Sequence, residues 1–431
     1  MEAGQRSIQR SALVEGVAQL TRALDQIASL PSTPELRRDE IKLQVALITP
    51  LMHVKGYAAS ETKAAAERAR LLIEQAERMG EPPEDPLLLF SVLYGFWIAN
   101  YLAFNGDAIR DLAAHFLALA EKQTATGPLM VGHRVMGISL LCTGDIRQGR
   151  THSDRALALY NDAEHRSLTT RFGQDSMVSI LSYRALGLLL LGYPDRALTD
   201  VARALEHARD TGQAATLTFA LQHVWLVNLL CGNYEAANAH AYELFTLADE
   251  KSSLFWKAGG TVARGCAFAL KGRSAEAVET ISSGLAAWRA TGSTMWLPLY
   301  MSHLATAQAG LGQFGEALRC IDEAIGTIAT TKESWFEAEA NRTAGEIALK
   351  SPEPDAAKAE TYFERALAIA RKQQAKSWEL RAAMSMARLW RDQGKPQQAC
   401  ELLAPVYGWF TEGFDTRDLK EAKALLDTLA A

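Results

Sequence analysis

Residues 305–324 of this 431-residue chain are ATAQAGLGQFGEALRCIDEA, an arrangement that recurs along the sequence. Gly312 lies between two apolar runs with helical spacing, and Ala317 and Ala324 follow it after five and twelve residues. Glycines at 192, 232 and 272 have the same surroundings, so four such glycines are spaced 40 residues apart. Positions five and twelve residues after these glycines, and after Gly144 and Gly394, are small or aliphatic: Ala197 and Ala204, Ala237 and Leu244, Ala277 and Gly284, Gly149 and Ala156, Ala399 and Val406.

Two properties of small residues explain the arrangement. Glycine adopts the left-handed backbone conformation that ends one helix and turns the chain into the next. Alanine or glycine at fixed positions lets paired helices approach more closely than larger side chains allow. A fixed period of this size is typical of a solenoid, in which each helix pair buries its apolar face against its neighbours. We therefore predict an all-α solenoid of about eight to ten helix pairs with a period near 40 residues.

The composition is that of a folded chain with no electrostatic preference for polyanions. Hydrophobic residues make up 48% of the chain and charged residues 22%, as in globular proteins. The net charge of -5 gives no reason to expect binding to nucleic acid or an anionic membrane. The five cysteines are far apart and form no CxxC pair, so we expect reduced thiols in a cytoplasmic protein.

The segment EPPEDP at 81–86 is the best candidate for an internal boundary, because its prolines stiffen the chain. It separates an N-terminal helical segment, 1–80, from solenoid repeats at 87–431 that end in a capping helix. One continuous superhelix is also compatible with this pattern. The N-terminus has no signal-peptide pattern and starts directly in a helical pattern, so we expect the chain to be part of something longer.

The segment 87–104, LLLFSVLYGFWIANYLAF, contains no charged residue. Its length nearly crosses a bilayer, so a membrane anchor is one interpretation. The alternative is a solenoid helix buried on most sides. We favour burial, because acidic residues flank the segment and basic topology signals are missing.

The sequence contains no recognisable catalytic constellation. Gly310, Gly312 and Gly315 spell GxGxxG, but a helix rather than a strand precedes them, so they do not predict a dinucleotide site. No GxxxxGK[ST] loop, HExxH motif or GxSxG elbow is present, and we predict no catalytic residue, metal or cofactor. His165 lies in a polar stretch that predicts a long connection between repeats, and we expect it on a surface loop.

A repeated tryptophan is the candidate for partner binding. Trp256, Trp296 and Trp378 each lie sixteen residues before a turn glycine, and Trp335 lies near the matching place before Pro354. Aromatic side chains in a row anchor partner peptides in many interfaces. They serve equally well to pack the start of one helix against the previous repeat.

The helix-pair pattern resembles tetratricopeptide (TPR) repeats in the offsets of its small residues and turn glycine. The period of 40 residues departs from the usual 34, and the proline that normally closes each repeat is missing. The resemblance implies a TPR-like α-solenoid.

Longer stretches resemble the C-terminal helical-repeat region of large bacterial signalling proteins. Those proteins join a class III adenylate/guanylate cyclase domain to a P-loop signal-transduction ATPase, and some relatives carry a DNA-binding activator domain instead of the cyclase. The resemblance implies a regulatory context and no catalytic residue in this chain. It lies in GYAASETKAAAERAR (56–70), HRSLTTRFGQDSMVSILSYRALGLLLLGYPDRAL (165–198), KSWELRAAMSMARLWRDQGK (376–395) and LLAPVYGWFTEGFDTRDLKEAKALLDTL (402–429).

The leading hypothesis is a non-catalytic, TPR-like sensor or scaffold that regulates a linked or partner cyclase–ATPase. A free-standing protein–protein interaction scaffold is the first alternative. The sensor half of an ATPase-type transcriptional activator is the second. The expected partner is a protein or peptide, with no nucleic acid or membrane bound by this chain.

Overall fold

A computed structural model of the chain describes residues 13–55, 59–80, 85, 87–123 and 125–430. Every regular element in these ranges is helical, and none of the described residues forms a strand. Eight consecutive helix pairs, from α4–α5 to α20–α21, pack side by side in this part of the chain. The predicted all-α, TPR-like solenoid is confirmed.

The helices of the first half alternate between apolar first helices and more polar second helices. Short helical segments replace the long connection that the sequence predicted between α7 and α10. The bounds are α1 Leu13–Ala28, α2 Pro34–Val54, α3 Ser60–Arg78, α4 Leu87–Leu102, α5 Gly106–Ala120, α6 Thr126–Cys142, α7 Ile146–Leu159, α8 Asp162–His165, a 3-10 turn Arg166–Leu168, α9 Thr169–Phe172, α10 Ser176–Leu190 and α11 Pro194–Thr211.

The second half follows the repeat more regularly. Its helices are α12 Ala214–Cys231, α13 Tyr234–Glu250, α14 Leu254–Leu270, α15 Ser274–Ala290, α16 Leu297–Gly310, α17 Phe314–Thr331, a 3-10 turn Ser334–Phe336, α18 Glu337–Lys350, α19 Ala356–Gln373, α20 Lys376–Asp392, α21 Pro396–Tyr407 and α22 Arg417–Leu429.

The turn between the helices of a pair depends on a left-handed residue, as the sequence predicted. Gly312 has φ +75° and follows the last turn of α16. Its N–H donates to the carbonyl of Ala309 at 3.0 Å, which ends the helix. The other predicted turn glycines also have positive φ values: Gly144, Gly192, Gly232, Gly272 and Gly394.

Close helix contacts require the small residues between α14 and α15. A Cβ atom on Gly265 would lie 2.9 Å from the backbone nitrogen of Ile281. A Cβ atom on Gly284 would lie 2.9 Å from the backbone nitrogen of Val262. Both distances are too short for a real side chain, so these two helices touch backbone to backbone.

One turn of the superhelix takes about 190 residues, and hydrogen bonds join each turn to the next. The carbonyl of Leu102, at the end of α4, accepts hydrogen bonds from the backbone nitrogens of Thr294 and Met295 at 2.9 and 3.1 Å. In the next repeats, Ser334 donates to the carbonyl of Thr143 and Ser377 donates to that of Leu189. The chain is therefore a tightly wound superhelix whose turns are in contact.

Helix α4 occupies the apolar segment that allowed a membrane interpretation. Most of its side chains are buried, and a Cβ on Gly95 would lie 3.0 Å from Cγ2 of Ile48 in α2. The burial interpretation is therefore confirmed for the described residues 87–102. Helix α12 is long and apolar enough to cross a membrane, but 83% of it is buried inside the protein.

The boundary predicted at 81–86 stays a prediction, because residues 81–84 and 86 lie outside the described part of the chain. Residues 1–12 of the predicted N-terminal segment also lie outside it. Helices α1–α3 pack in sequence order and lead into α4.

The same substitution at two helical glycines tests the close approach of α14 and α15. Gly265→Ala is expected to destabilise the fold by about 1–3 kcal/mol, because the new methyl group forces the helices apart. Gly326→Ala is the matched control: nothing lies within 4 Å of its added Cβ, and helix propensity favours alanine by about 0.5–1 kcal/mol. Urea unfolding measures both. A neutral Gly265→Ala variant would contradict the predicted backbone contact.

Candidate functional site

The inner face of the superhelix encloses a polar cavity of about 310 Å³ in its C-terminal half. The first helices of consecutive pairs supply most of its wall, and α22 closes one side. We call it the inner cavity. Its charged and histidine side chains are His303, Glu339, Arg342, Glu346, Lys350, Arg381, Arg388, Arg417, Asp418 and Glu421.

Helical periodicity places these groups on the inner face. On α18, Glu339, Arg342, Glu346 and Lys350 are spaced by three or four residues and therefore share one side of the helix. On α20, Arg381 and Arg388 have the same relation through Ser385. The opposite faces of these helices carry alanines and other small or apolar residues that pack within the solenoid.

The deepest part of the cavity is a buried ion-pair network around Glu339. Arg342 donates to both carboxylate oxygens of Glu339, at 2.8 and 2.9 Å. Arg381 reaches the same carboxylate with Nη1 at 3.1 Å. The side chain of Glu339 is 7% exposed, and two guanidinium groups share its charge.

Arg381 connects this network to two other parts of the structure. Its Nε donates to Oδ2 of Asp418 in α22 at 2.7 Å. Its Nη2 donates to the carbonyl of Leu230, at the end of α12, at 2.7 Å. One guanidinium group therefore contacts the cavity, the last helix and an earlier part of the superhelix.

The ion pairs become more exposed towards the mouth of the cavity. Arg388 donates to Oε2 of Glu421 at 2.9 Å, and both side chains are more than a third exposed. Arg417 donates to Oε1 of Glu421 at 2.6 Å and also bonds the hydroxyl of Tyr234. Half-exposed pairs of this kind contribute little to stability and exchange partners readily, so an incoming charged group can compete for them.

The protonation states follow from burial and pairing. Burial alone would raise the pKa of Glu339, but Arg342 and Arg381 outweigh it and hold that pKa below its usual range. Burial lowers the pKa of His303 to about 4, so this imidazole is neutral at physiological pH. The wall therefore presents carboxylates, guanidinium groups and a neutral imidazole, which together can bind groups of either charge.

A second, smaller cavity lies among aromatic side chains farther along the inner face. Its volume of about 40 Å³ has room for about three water molecules. Tyr101 and Tyr183 are hydrogen-bonded through their hydroxyl groups in its wall, and Trp256 and Trp296 also line it. Burial lowers the pKa of His223 to about 4, so this wall residue is neutral.

The structure places the four candidate tryptophans at different depths. Trp296, Trp335 and Trp378 are 1%, 0% and 2% exposed, so packing accounts for their side chains. The indole N–H of Trp378 donates to the carbonyl of Trp335 at 2.9 Å, which links consecutive repeats. Trp256 is half-buried at the aromatic cavity. Partner binding by this row stays a prediction, and Trp256 has the most accessible side chain of the four.

Glu333 is a fully buried carboxyl between two of these tryptophans. It accepts hydrogen bonds from the backbone nitrogen of Trp296 at 2.9 and 3.0 Å and from the indole of Trp335 at 3.0 Å. Trp296 has φ +63°, and the bond to Glu333 holds this left-handed residue in place. Burial raises the pKa of Glu333 to about 8, and the two donors only partly offset that effect.

One sequence expectation is wrong, and one set of residues was missed. His165 is buried rather than on a surface loop, because the connection folds into short helices and its ring bonds the hydroxyl of Thr126 at 3.0 Å. The charged inner face of α18 and α20 was not singled out. The sequence pattern that indicates this face is a set of charged residues spaced three and four apart, on helices whose other faces carry small and apolar residues.

Within the described ranges, no group of three or more His, Cys, Asp or Glu side chains is placed to hold a metal ion.

Comparison with known proteins identifies the fold. The crystal structure of a Rap protein complexed with competence and sporulation factor superposes with a TM-score of 0.63 and 14% identity, covering 87% of this chain and 98% of that one. The APC/C hetero-tetramer Cut9–Hcn1 gives a TM-score of 0.51 and 12% identity over 99% of this chain and 75% of that one.

At the sequence level, an uncharacterized protein of Rhizobium meliloti (strain 1021) is 24% identical over 394 residues. The match covers 90% of this chain, and the chain spans 37% of that relative's length. No protein-family model matches the chain.

Glu333→Gln tests the buried carboxyl through the pH dependence of stability. The pKa of Glu333 is raised when folded, so its contribution is fully present below the unfolded value near 4.5 and is lost as pH rises through about 8. The stability of the wild type relative to Glu333→Gln is expected to fall across this window, by at most about 1.4 kcal/mol per pH unit.

Urea unfolding at several pH values across this window measures the difference. The partly exposed Glu316, which pairs with Arg319 on the surface, provides the control Glu316→Gln. A wild type and a Glu333→Gln variant with parallel pH profiles would contradict a raised pKa at Glu333.

Proposed function

We propose that this chain is a non-catalytic, TPR-like sensor that binds a short charged peptide in the inner cavity and regulates a partner protein. The observation that supports this proposal is the inner cavity, whose volume of about 310 Å³ falls in the size range of ligand sites. Its wall carries both signs of charge, and an extended peptide brings an amino group, a carboxylate and main-chain donors and acceptors.

The likeness in fold to a Rap protein supports this proposal as an analogy. That protein was crystallised with competence and sporulation factor, and the match in fold covers 87% of this chain. At 14% identity, the likeness assigns no role to individual residues of this chain. The proposal therefore rests on the cavity of this chain, and the analogy adds that such a superhelix can hold a ligand.

Arg381 can couple ligand binding in the inner cavity to the shape of the superhelix. A ligand carboxylate competes with Glu339 for Arg381, and a ligand cation competes with Arg381 for Glu339. The same guanidinium bonds the carbonyl of Leu230 in an earlier part of the superhelix. Ligand binding then changes the relative free energies of two superhelical pitches, and small rotations add up along a solenoid.

The proposed context is a linked or partner adenylate/guanylate cyclase–ATPase in the bacterial cytoplasm. It rests on the resemblance described from the sequence, and a relative much longer than the matched region is compatible with it. A free-standing protein–protein interaction scaffold and the sensor half of an ATPase-type transcriptional activator are the alternatives. Trp256 is the proposed contact for a protein partner among the four tryptophans, because it is the most accessible.

Selection of peptides tests the inner cavity. A random peptide library displayed on phage is selected on the wild-type chain, and the dissociation constants of enriched peptides are measured by fluorescence anisotropy. Arg388→Glu is expected to weaken binding by about tenfold or more, because it reverses a charge at the cavity mouth. Arg388 and its partner Glu421 are 39% and 37% exposed, so loss of their ion pair is expected to cost little stability. Circular dichroism verifies that the variant is folded.

The matched control is Arg319→Glu, a reversal of the same charge on an outer, exposed helix face. It is expected to leave peptide affinity unchanged. Equal binding by wild type and both variants would place the peptide outside the inner cavity and contradict the proposal.

Sequencing of the genomic DNA upstream of the Met1 codon tests the proposed context. The expected result is an open reading frame that continues into a cyclase domain and a GxxxxGK[ST] loop. A stop codon and a ribosome-binding site directly before Met1 would favour the free-standing scaffold instead.

A further inference from the structure

We propose that a second site, on the seam between two superhelical turns, binds a small molecule with two or more phosphate groups. The seam cleft has a volume of about 440 Å³. Its wall includes Arg147, Arg150, Tyr193, Arg371, Lys376 and Trp409. It is separate from the inner cavity, and it does not depend on the function proposed for that cavity.

The charges of the seam cleft are unbalanced. Four cationic side chains and one carboxylate, Glu379, line it, although the chain as a whole has a net charge of -5. Arg371 Nε and Lys376 Nζ both bond Glu379, at 3.0 and 2.7 Å. One buried carboxylate therefore serves two cations, and a positive charge remains for a ligand.

The two arginines on the other side of the cleft differ in their pairing, and Arg147 adds a positive charge that no carboxylate in the described part of the chain neutralises. Arg150 Nε lies 3.3 Å from Asp154, and Arg184 bonds the same carboxylate and also pairs with Asp200. Arg147 is exposed and has no ion-pair partner among the described residues. Both arginines are on α7, one helical turn apart, and both line the cleft.

The cleft is built from two turns of the superhelix. Arg147, Arg150 and Tyr193 belong to one turn, and Arg371, Lys376 and Trp409 belong to the next. The walls are in direct contact beside the cleft, since a Cβ on Gly192 would lie 2.5 Å from the ring of Trp409 and 3.0 Å from Cβ of Lys376. A bound polyanion would join cations that otherwise repel each other across the seam.

The chemistry of the wall favours phosphate over a simple carboxylate. Guanidinium groups bind phosphate oxygens through paired N–H donors, and the positive charge that the carboxylates of the cleft leave unneutralised matches an anionic ligand. Trp409 is 36% exposed, and its ring centroid lies 5.6 Å from that of Tyr193. Lys376 Nζ lies over the Trp409 ring, 5.6 Å from its centroid. A planar ring attached to the phosphates would contact the part of the indole that Lys376 leaves exposed.

Isothermal titration calorimetry of the full chain with pyrophosphate and with ADP, in low salt without magnesium, tests the proposal. Both probes are expected to bind saturably, with dissociation constants of about 1 mM or below that rise with added salt. Tighter binding of ADP than of pyrophosphate would identify the aromatic wall as part of the site. Equal binding would assign the site to the phosphates alone, and citrate as tight as pyrophosphate would overturn the phosphate assignment.

The exposed arginines supply the variants. Arg147→Gln and Arg371→Gln are each expected to weaken pyrophosphate binding by about tenfold. Arg319→Gln, an exposed cation outside the cleft, is the matched control and should bind as the wild type does. Circular dichroism verifies that each variant is folded. Absence of saturable binding to the wild type, or unchanged binding by both cleft variants, would overturn the proposal.

Discussion

Hydrogen bonds between successive turns of the superhelix hold the rest of the structure in place. The last carbonyl groups of an α-helix have no partner within the helix. Here the carbonyls of Leu102, Thr143 and Leu189, at or just after the ends of first helices, accept hydrogen bonds from residues about 190 positions later. These bonds, together with side-chain packing between the same turns, hold successive turns in contact, and the seam cleft and the inner cavity depend on that contact.

The inner cavity and the seam cleft are both consequences of the pitch of the superhelix. Helix α20 contributes to each of them, with Arg381 in the inner cavity and Lys376 in the seam cleft. The two residues are five positions apart in sequence, and helical geometry directs them to different surfaces. A change of pitch therefore alters both surfaces together, which gives a solenoid without moving domains a means of coupling distant sites.

Much of the local structure followed from short-range rules in the sequence. The turn glycines were predicted because a left-handed residue is needed where one helix of a pair ends, and Gly312 has that conformation. Burial of α4 was predicted from its composition and flanking charges. His165 was misplaced, because a polar stretch resembles a loop even when it folds into short helices that bury one ring.

The candidate site was harder to predict. The spacing of Glu339, Arg342 and Glu346 places them on one helix face, but spacing does not say whether that face meets water, a partner or other charges. The burial of Glu339 depends on Arg381 from the next repeat and on the proximity of Asp418 in the last helix. Such contacts join residues far apart in sequence, and no local pattern in one sequence predicts them.

By itself, then, the sequence determined the all-α class, the helix pairs and their period, because these depend on interactions within about 40 residues. Only the tertiary structure decided that the superhelix closes on itself and which charges meet inside it. The physical reason is that each repeat adds a small rotation to the last. The sum over several repeats, rather than any one of them, brings Leu102 to Thr294 and Leu230 to Arg381.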